Sequence, residues 1–453
     1  MLHIQKPNVS VVVPTYNRGH LLEATLQTLS QVEMPHNFTF EVIICDDGSS
    51  DDTSGIVRSA ESTLDLKYCY QPDRGSRQAA ARNMGVKLAT ADTILFIDSE
   101  VLVAPNLIEK HLCRHTSSNS VVIDLTYGYY SDLCGADNGD PFELSGQAWW
   151  IDIDKQQVMS DVRAPIFEAA DYQLDKMTAP WTLCWGNNFS VPKAALLEVG
   201  GFDELFIGWG YEDLDLAYRL HKHGLVFQVA MDAITLHLPH VRVNRSVASV
   251  VENIRRLYEK NPTLLTELLN CFGTLDYSNN VDKFLLLAQY SLTPKYHFIW
   301  DDSFKQQLRA AASGQVYIMG CEDGWLSDLL DAKWISHPDE AKIRHLKLEH
   351  LPTDAKCGLG VMTGKLPKSV DSVVITDFWR VLHEEAIRKM TQEAIRISKR
   401  VVVLNTPSFE PPPSDMAARW GDNDLKILLE KEGLTITLLV RGATSDLYEV
   451  SKS

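Results

Sequence analysis

The chain has 453 residues, 45% hydrophobic and 23% charged, enough for two or three domains at roughly 100–200 residues each with cores that need no disulfide or metal staple to fold. Lys+Arg number 43 and Asp+Glu 60, so the formal net charge is -17. That balance argues against a nucleic-acid partner and against docking on an anionic membrane, while leaving room for a local basic pocket.

The first third alternates strands and helices. Val9–Pro14 is a β-branched run ending at proline and predicts a buried strand. Helical spacing follows from Gly19 to about Val32, through Leu21, Leu22, Leu26 and Leu29. Phe40–Cys45 predicts a second strand, ending at the polar cluster 46–51; a helix from Asp52 to about Ser62 follows. Leu66–Gln71 and Thr93–Ile97 predict two more strands, with an Ala-rich helix between them over Arg77–Ala89. Such alternation implies a mostly parallel, doubly wound sheet, in which ligands bind beyond the carboxyl ends of the strands. The groups at 15–18, 46–51 and 98–100 all sit at such ends.

Residues 120–180 are irregular and rich in Gly, Asp, Trp and Tyr, and read as an inserted loop region. A helix is predicted over Asp213–Lys222, and residues 251–312 read as a helical connector. From 313 a second α/β pattern begins, with strands at Val316–Met319, Ser372–Thr376 and Arg400–Leu404, a helix over Glu384–Ser398, and a loop at Pro411-Pro412-Pro413. The eight cysteines include no C-x-x-C pair; free thiols in a reducing cytosol are the simplest reading. MLHIQKPNVS lacks the apolar core of a signal peptide, and no apolar run approaches the about 18 residues of a membrane span. The expectation is a cytoplasmic protein with no transmembrane segment, any membrane association being peripheral at the inner face.

Five constellations carry candidate chemistry. The turn P-T-Y-N-R offers Pro14, Tyr16 and Arg18, and C-D-D-G-S-S-D offers Asp46 and Asp47. Tyr16 can flank a base, and the aspartates can accept hydrogen bonds from uracil N–H or ribose hydroxyls. Asp-Gly-Ser clusters also serve as plain loops and caps. On the Ala-rich helix, Arg77 and Arg82 can face a nucleotide diphosphate or be merely solvated. Asp98 and Glu100, two residues apart at a strand end, can approach one hard cation such as Mg2+ or Mn2+. The fourth holds Trp185 and Asn187, then G-W-G-Y-E-D with Trp209, Gly210, Glu212 and Asp213. Aromatic faces pack on sugar C–H surfaces, carboxylates bind hydroxyls, and one carboxylate could deprotonate a nucleophile. The same acids also favour a helix start. In His237-Leu238-Pro239-His240, His237 is the better candidate to complete a metal shell.

Residues 9–105, with PTYNR, CDDGSSD, Ala-Ala-Arg-Asn-x-Gly and the acidic strand end, resemble the nucleotide-binding half of family-2 glycosyltransferases of the GT-A fold. Residues 185–220, with GGFDE and GWGYEDLDLAYRL, are similar to the acceptor segment of galactosyltransferases and related enzymes. The resemblance implies an α/β GT-A domain over 1–250 and inverting transfer from a nucleoside-diphosphate sugar, UDP-linked, to a glycan, peptide or small-molecule natural-product acceptor. It implies that Asp213 is the base, with Glu212 beside it. Asp98, Glu100 and His237 would hold Mn2+ or Mg2+, Glu100 standing where the family's D-x-D motif has its second Asp. Residues 313–453 resemble a Rossmann-like, class I methyltransferase-type domain, but its first turn reads Gly320-Cys321-Glu322-Asp323-Gly324 rather than G-x-G, and no acidic residue ends a second strand after Trp334. A degenerate domain for acceptor recognition or oligomerisation fits better than a working S-adenosylmethionine site. The alternatives are a bifunctional glycosyltransferase-methyltransferase and a noncatalytic nucleotide-sugar-binding protein.

Overall fold

The computed structural model describes residues 7–115, 119–128, 150, 160–240, 246–272, 277–278, 281–282, 285, 299–321, 324–349, 354–406 and 423–452. The chain divides into two units, Met1–Arg256 and Leu257–Ser453. Residues from Leu257 onward, part of the expected connector, therefore group with the second unit.

The first unit opens with β1 (Val9–Thr15), α1 (Gly19–Leu29), β2 (Phe40–Asp46), α2 (Thr53–Ala60), β3 (Leu66–Tyr70), α3 (Gln78–Leu88) and β4 (Thr93–Ile97). It continues through β5 (Val101–Val103), α4 (Leu107–Arg114), β6 (Ser120–Tyr127), α5 (Ala164–Ala169), β7 (Asn188–Pro192), α6 (Lys193–Glu198), α7 (Glu212–Lys222), β8 (Val226–His237) and α8 (Val247–Lys260). The sheet order is β3-β2-β1-β4-β7-β6-β8-β5. The first four strands are parallel, and β4 meets β7 antiparallel. The architecture is thus the mixed α/β fold expected. Central β1 is buried at every residue, as a β-branched run covered on both faces should be. Each fully buried Val, Leu or Ile there contributes roughly 1.5–3 kcal/mol of transfer free energy.

The second unit holds α9 (Leu264–Cys271), α10 (Asp302–Ala311), β9 (Val316–Met319), α11 (Gly324–Leu330), β10 (Trp334–His337), α12 (Glu340–Glu349), β11 (Asp354–Cys357), β12 (Val370–Ile375), α13 (Glu384–Ile397), β13 (Ser398–Asn405), α14 (Asp424–Lys431), β14 (Leu434–Arg441) and β15 (Asp446–Lys452). Its order is β11-β10-β9-β12-β13-β15-β14, with β15 antiparallel to both neighbours. Counted from β9 this begins 3-2-1-4, as a doubly wound sheet does. A second strand does follow, at Trp334–His337, and the nearest acid, Asp339, accepts the Ala341 N–H at 2.8 Å at the start of α12. Glu322 and Asp323, and the Pro411-Pro412-Pro413 loop, lie outside the described residues. Among the described residues, no helix is long and apolar enough to cross a membrane.

Candidate active site

The carboxyl ends of β1, β2 and β4 open on one cleft, lined among others by Pro14, Tyr16, Arg18, Asp47, Asp98 and Glu100. All six are residues the motifs had singled out. The Tyr16 hydroxyl donates to Asp73 at 2.9 Å, and the exposed ring stands at the rim. Asp47 accepts from Gln71 Nε2 at 2.6 Å and from the Arg77 backbone N–H at 2.6 Å. Burial raises its carboxyl above the usual range, against the pull of those donors. Arg77 therefore holds the aspartate, with its guanidinium 3.3 Å away. Asp46 does not line this cleft. Its Oδ1 accepts the Gly48 and Ser49 N–H groups at 3.0 and 2.7 Å, and its Oδ2 accepts the Tyr68 hydroxyl at 2.6 Å. It shapes the turn that presents Asp47.

The Asp98-Ser99-Glu100 turn splits its two acids between different partners. The register pairs Val101 with His237, which brings the end of β8 beside Glu100. His237 Nε2 lies 3.8 Å and His240 Nε2 3.5 Å from Glu100 Oε1. Burial works against the Glu100 charge, but Arg18, His237 and His240 overcome it and hold the carboxyl at about 2. Among the described residues, Glu100, His237 and His240 form one group whose ligand atoms lie within 4.8 Å of one another and could hold a metal ion. A carboxylate with two imidazoles is a fitting donor set for a divalent cation. Arg18 forms an ion pair with Glu100. Asp98 turns instead to Arg82, 2.9 Å away.

Arg82 is the hub of the inner wall. Its side chain is fully buried, and it reaches Asp98, Glu212 at 3.0 Å, and the Gly186 carbonyl at 3.4 Å. Burial opposes its charge, and Asp98, Glu212 and Asp213 more than restore it. A buried guanidinium between two carboxylates is costly to break, by about 3–5 kcal/mol when one partner is removed. It thus ties α3, β4 and the start of α7 together rather than standing open to a ligand. Asp213, beside Glu212, accepts the Gly186 N–H at 2.7 Å and the Leu214 N–H at 2.8 Å. Burial, then the charge of Glu212, pushes its carboxyl up to about 7. Asp98 is raised to about 6, chiefly by burial.

The loop before α7 carries Gly208, Gly210 and Tyr211 at φ +87, +89 and +74. A Cβ at Gly210 would meet nothing within 4 Å, so the backbone conformation alone calls for glycine there. Trp209 in this loop is half-buried. Trp185, by contrast, is buried, donates to the Thr182 carbonyl at 3.1 Å, and lies under the Arg163 guanidinium at 4.9 Å. Asn187 is buried too, donating to Thr126 Oγ1 at 3.0 Å, and its carbonyl accepts the Asp98 N–H at 3.0 Å. Asn187 braces the acidic turn from behind. Sequence reasoning missed Asn253, which is buried on α8. Its Nδ2 reaches the carbonyls of Ile207, Trp209 and Gly210 at 3.2, 3.4 and 2.9 Å. An asparagine in an amphipathic helix carries no sequence signal of that role.

Residues 10–148 match the family described as glycosyl transferase family 2, and residues 170–241 match the N-terminal domain of galactosyltransferase. The first unit carries a family-2 glycosyltransferase domain. Validoxylamine A glucosyltransferase of Streptomyces hygroscopicus subsp. limoneus is 40% identical over 275 residues, 58% of this chain and 58% of that one. Hyaluronan synthase of Pasteurella multocida is 29% identical over 281 residues, 58% of this chain and 28% of that one. The glycosyltransferase match thus spans less than two thirds of either relative. A solved mannosyltransferase from Pyrobaculum calidifontis, in complex with GDP-Man and Mn2+, covers 64% of this chain and 77% of its own at 18% identity and a TM-score of 0.40. The glycosyltransferase domain's two matched segments contain every residue of the cleft and of the Asp213 loop, while Asn253 lies beyond both.

Proposed function

We propose that the chain is an inverting glycosyltransferase that moves a sugar from a UDP-sugar to a hydroxyl of a small natural-product acceptor. The observation that carries this reading is Asp213, a carboxyl pushed up to about 7 and oriented by two backbone N–H groups, in the same wall as Asp98. A base poised near neutrality suits proton removal from a hydroxyl. Asp213 takes the acceptor proton as the hydroxyl oxygen attacks the anomeric carbon. The carbon–oxygen bond to the diphosphate breaks on the opposite face, and the nucleoside diphosphate departs. Pro14, Tyr16 and Asp47 bind the nucleoside end, with Arg77 fixing Asp47. Trp209 offers an aromatic face to a sugar, and Arg82 holds Asp98 and Glu212 in place.

Glu100, His237 and His240 would hold Mn2+ or Mg2+, which when bound neutralises charge on the leaving diphosphate. The name of the 40%-identical relative supports a glucosyl donor and a small acceptor over a polysaccharide. The test is UDP release from a panel of UDP-sugars with and without Mn2+, with products followed by mass spectrometry. UDP-glucose with Mn2+ is expected to turn over fastest; bound donors with neither hydrolysis nor transfer would sink the enzyme reading.

A further inference from the structure

Cys45 and Cys69 are 24 positions apart in sequence, yet they are direct register partners on parallel β2 and β3. In-register residues on parallel neighbours present their side chains to the same face of the sheet. Neighbouring strands run about 4.8 Å apart, inside the about 4.4–6.8 Å Cα separation that a disulfide spans. The Cys69 sulfur reaches across the seam to the Ile44 carbonyl of β2 at 3.5 Å, next to Cys45 in the chain. Cys45 is fully buried, and its sulfur lies under α3, where a Cβ on Gly85 would come within 2.6 Å of it. Cys69 is half-buried on β3, the edge strand of the sheet. One thiol is thus reachable from outside, and the other waits behind it.

We propose that Cys45 and Cys69 form a redox modification site, a reversible disulfide across the β2–β3 seam that weakens donor binding. The oxidant class is a small disulfide such as glutathione disulfide. The Cys69 thiolate attacks one of its sulfurs, expelling one glutathione thiolate and leaving a mixed disulfide. Cys45 then gives up its proton and attacks the Cys69 sulfur, expelling the second glutathione. Two protein thiols are oxidised, and one glutathione disulfide is reduced to two glutathiones. The neighbouring Cys45 thiol holds the Cys69 thiol below its ordinary range, which favours it as the attacking group. Burial raises Cys45 well above that range and keeps it inert until the first step has occurred.

The seam lies directly beneath the cleft. Cys45 precedes Asp46 and Asp47, and Cys69 sits between Tyr68, which bonds Asp46, and the segment reaching Gln71, which bonds Asp47. Gly85, over the Cys45 sulfur, is one helical turn from Arg82. Drawing the two sulfurs together shifts these supports at once. This consequence rests on the donor-site reading above, whereas the disulfide does not.

The full-length protein is incubated natively with glutathione disulfide, quenched with an alkylating agent and mapped by mass spectrometry. A Cys45–Cys69-linked peptide is expected, reversed by dithiothreitol, absent in C69S and retained in C113S, which removes an exposed thiol elsewhere. UDP affinity by calorimetry is expected to fall several-fold in the oxidised form and return on reduction. A glutathione adduct on Cys69 that Cys45 never resolves, or unmodified thiols at both positions, would overturn the site. A linked peptide with unchanged UDP affinity would overturn its effect on the donor. C69S alters a half-exposed residue, so the comparison does not depend on replacing buried Cys45.

Discussion

Asp213 differs from its neighbours in what surrounds its carboxylate. Glu212 and Asp98 each face the Arg82 guanidinium directly, whereas Asp213 is met by two backbone N–H groups and by the repulsion of Glu212. On the proposed reading, that difference makes Asp213 the group that exchanges a proton. Asp213→Asn is expected to lower kcat by roughly 100- to 10,000-fold while leaving UDP affinity within error in calorimetry. The rate of the natural protein should rise through about pH 7, where Asp213 loses its proton; an acidic limb near pH 4 would contradict the assignment. Stability runs the opposite way. The folded carboxyl binds its proton more tightly than the unfolded one, whose ordinary value is 3.8. Between about 4 and about 7 the native state therefore holds the extra proton, and stability falls as pH rises across that window. Asp213→Asn should thus melt higher than the natural protein above pH 7, with the gap closing toward pH 4. Equal melting temperatures across that range would show that the carboxylate is solvated rather than strained.

Elements place these residues, and their legibility depended on local pattern. The strands β1 to β4 and helices α1 to α3 could be read because β-branched runs and 3.6-residue spacing alternate with polar turns. Their acidic ends, Asp47, Asp98 and Glu100, were readable for the same reason. Pro239 argues against a helical presentation of His237 and His240, yet the chain leaves β8 in an irregular segment that brings the two ring centroids to 5.1 Å. β10 and β11, unlike the equally short but wholly apolar β9, carry no apolar run to read: they are Trp-Ile-Ser-His and Asp-Ala-Lys-Cys, and β11 buries only Ala355 well. Trp185 and Asn187 looked like acceptor contacts from their glycine-flanked motif, but their side chains turn inward to Arg163 and Thr126. Asn253 had no motif at all, since its part depends on α8 packing against the loop before Glu212. Asn253→Asp keeps the shape and removes the donor N–H groups, setting a carboxylate against three carbonyls. Because small misplacements of a base are costly, kcat is expected to fall by about 10- to 100-fold, with the UDP dissociation constant unchanged. Loss of UDP affinity in proportion to kcat would show instead that Asn253 supports the donor cleft or the fold at large.

At the scale of the whole molecule, two sheets have two separate cores. One is built around Val11, Val13, Leu95 and Ile97, the other around Val316, Ile318, Val374 and Val402. The acids of the cleft account for part of the -17 charge and belong to the first unit. A ligand that binds only the folded form raises the free energy of every opening that breaks its site, and openings elsewhere keep their own cost. Hydrogen exchange with UDP and Mn2+ should therefore slow amides around residues 14–18, 46–50, 98–101 and 236–240. The amides of β9, β12 and β13 should exchange as before. Matching protection in those three strands would show that the second sheet shares in donor binding. Protection with UDP alone, equal to that with Mn2+ added, would remove the cation from the Glu100, His237 and His240 group while leaving the nucleotide cleft intact.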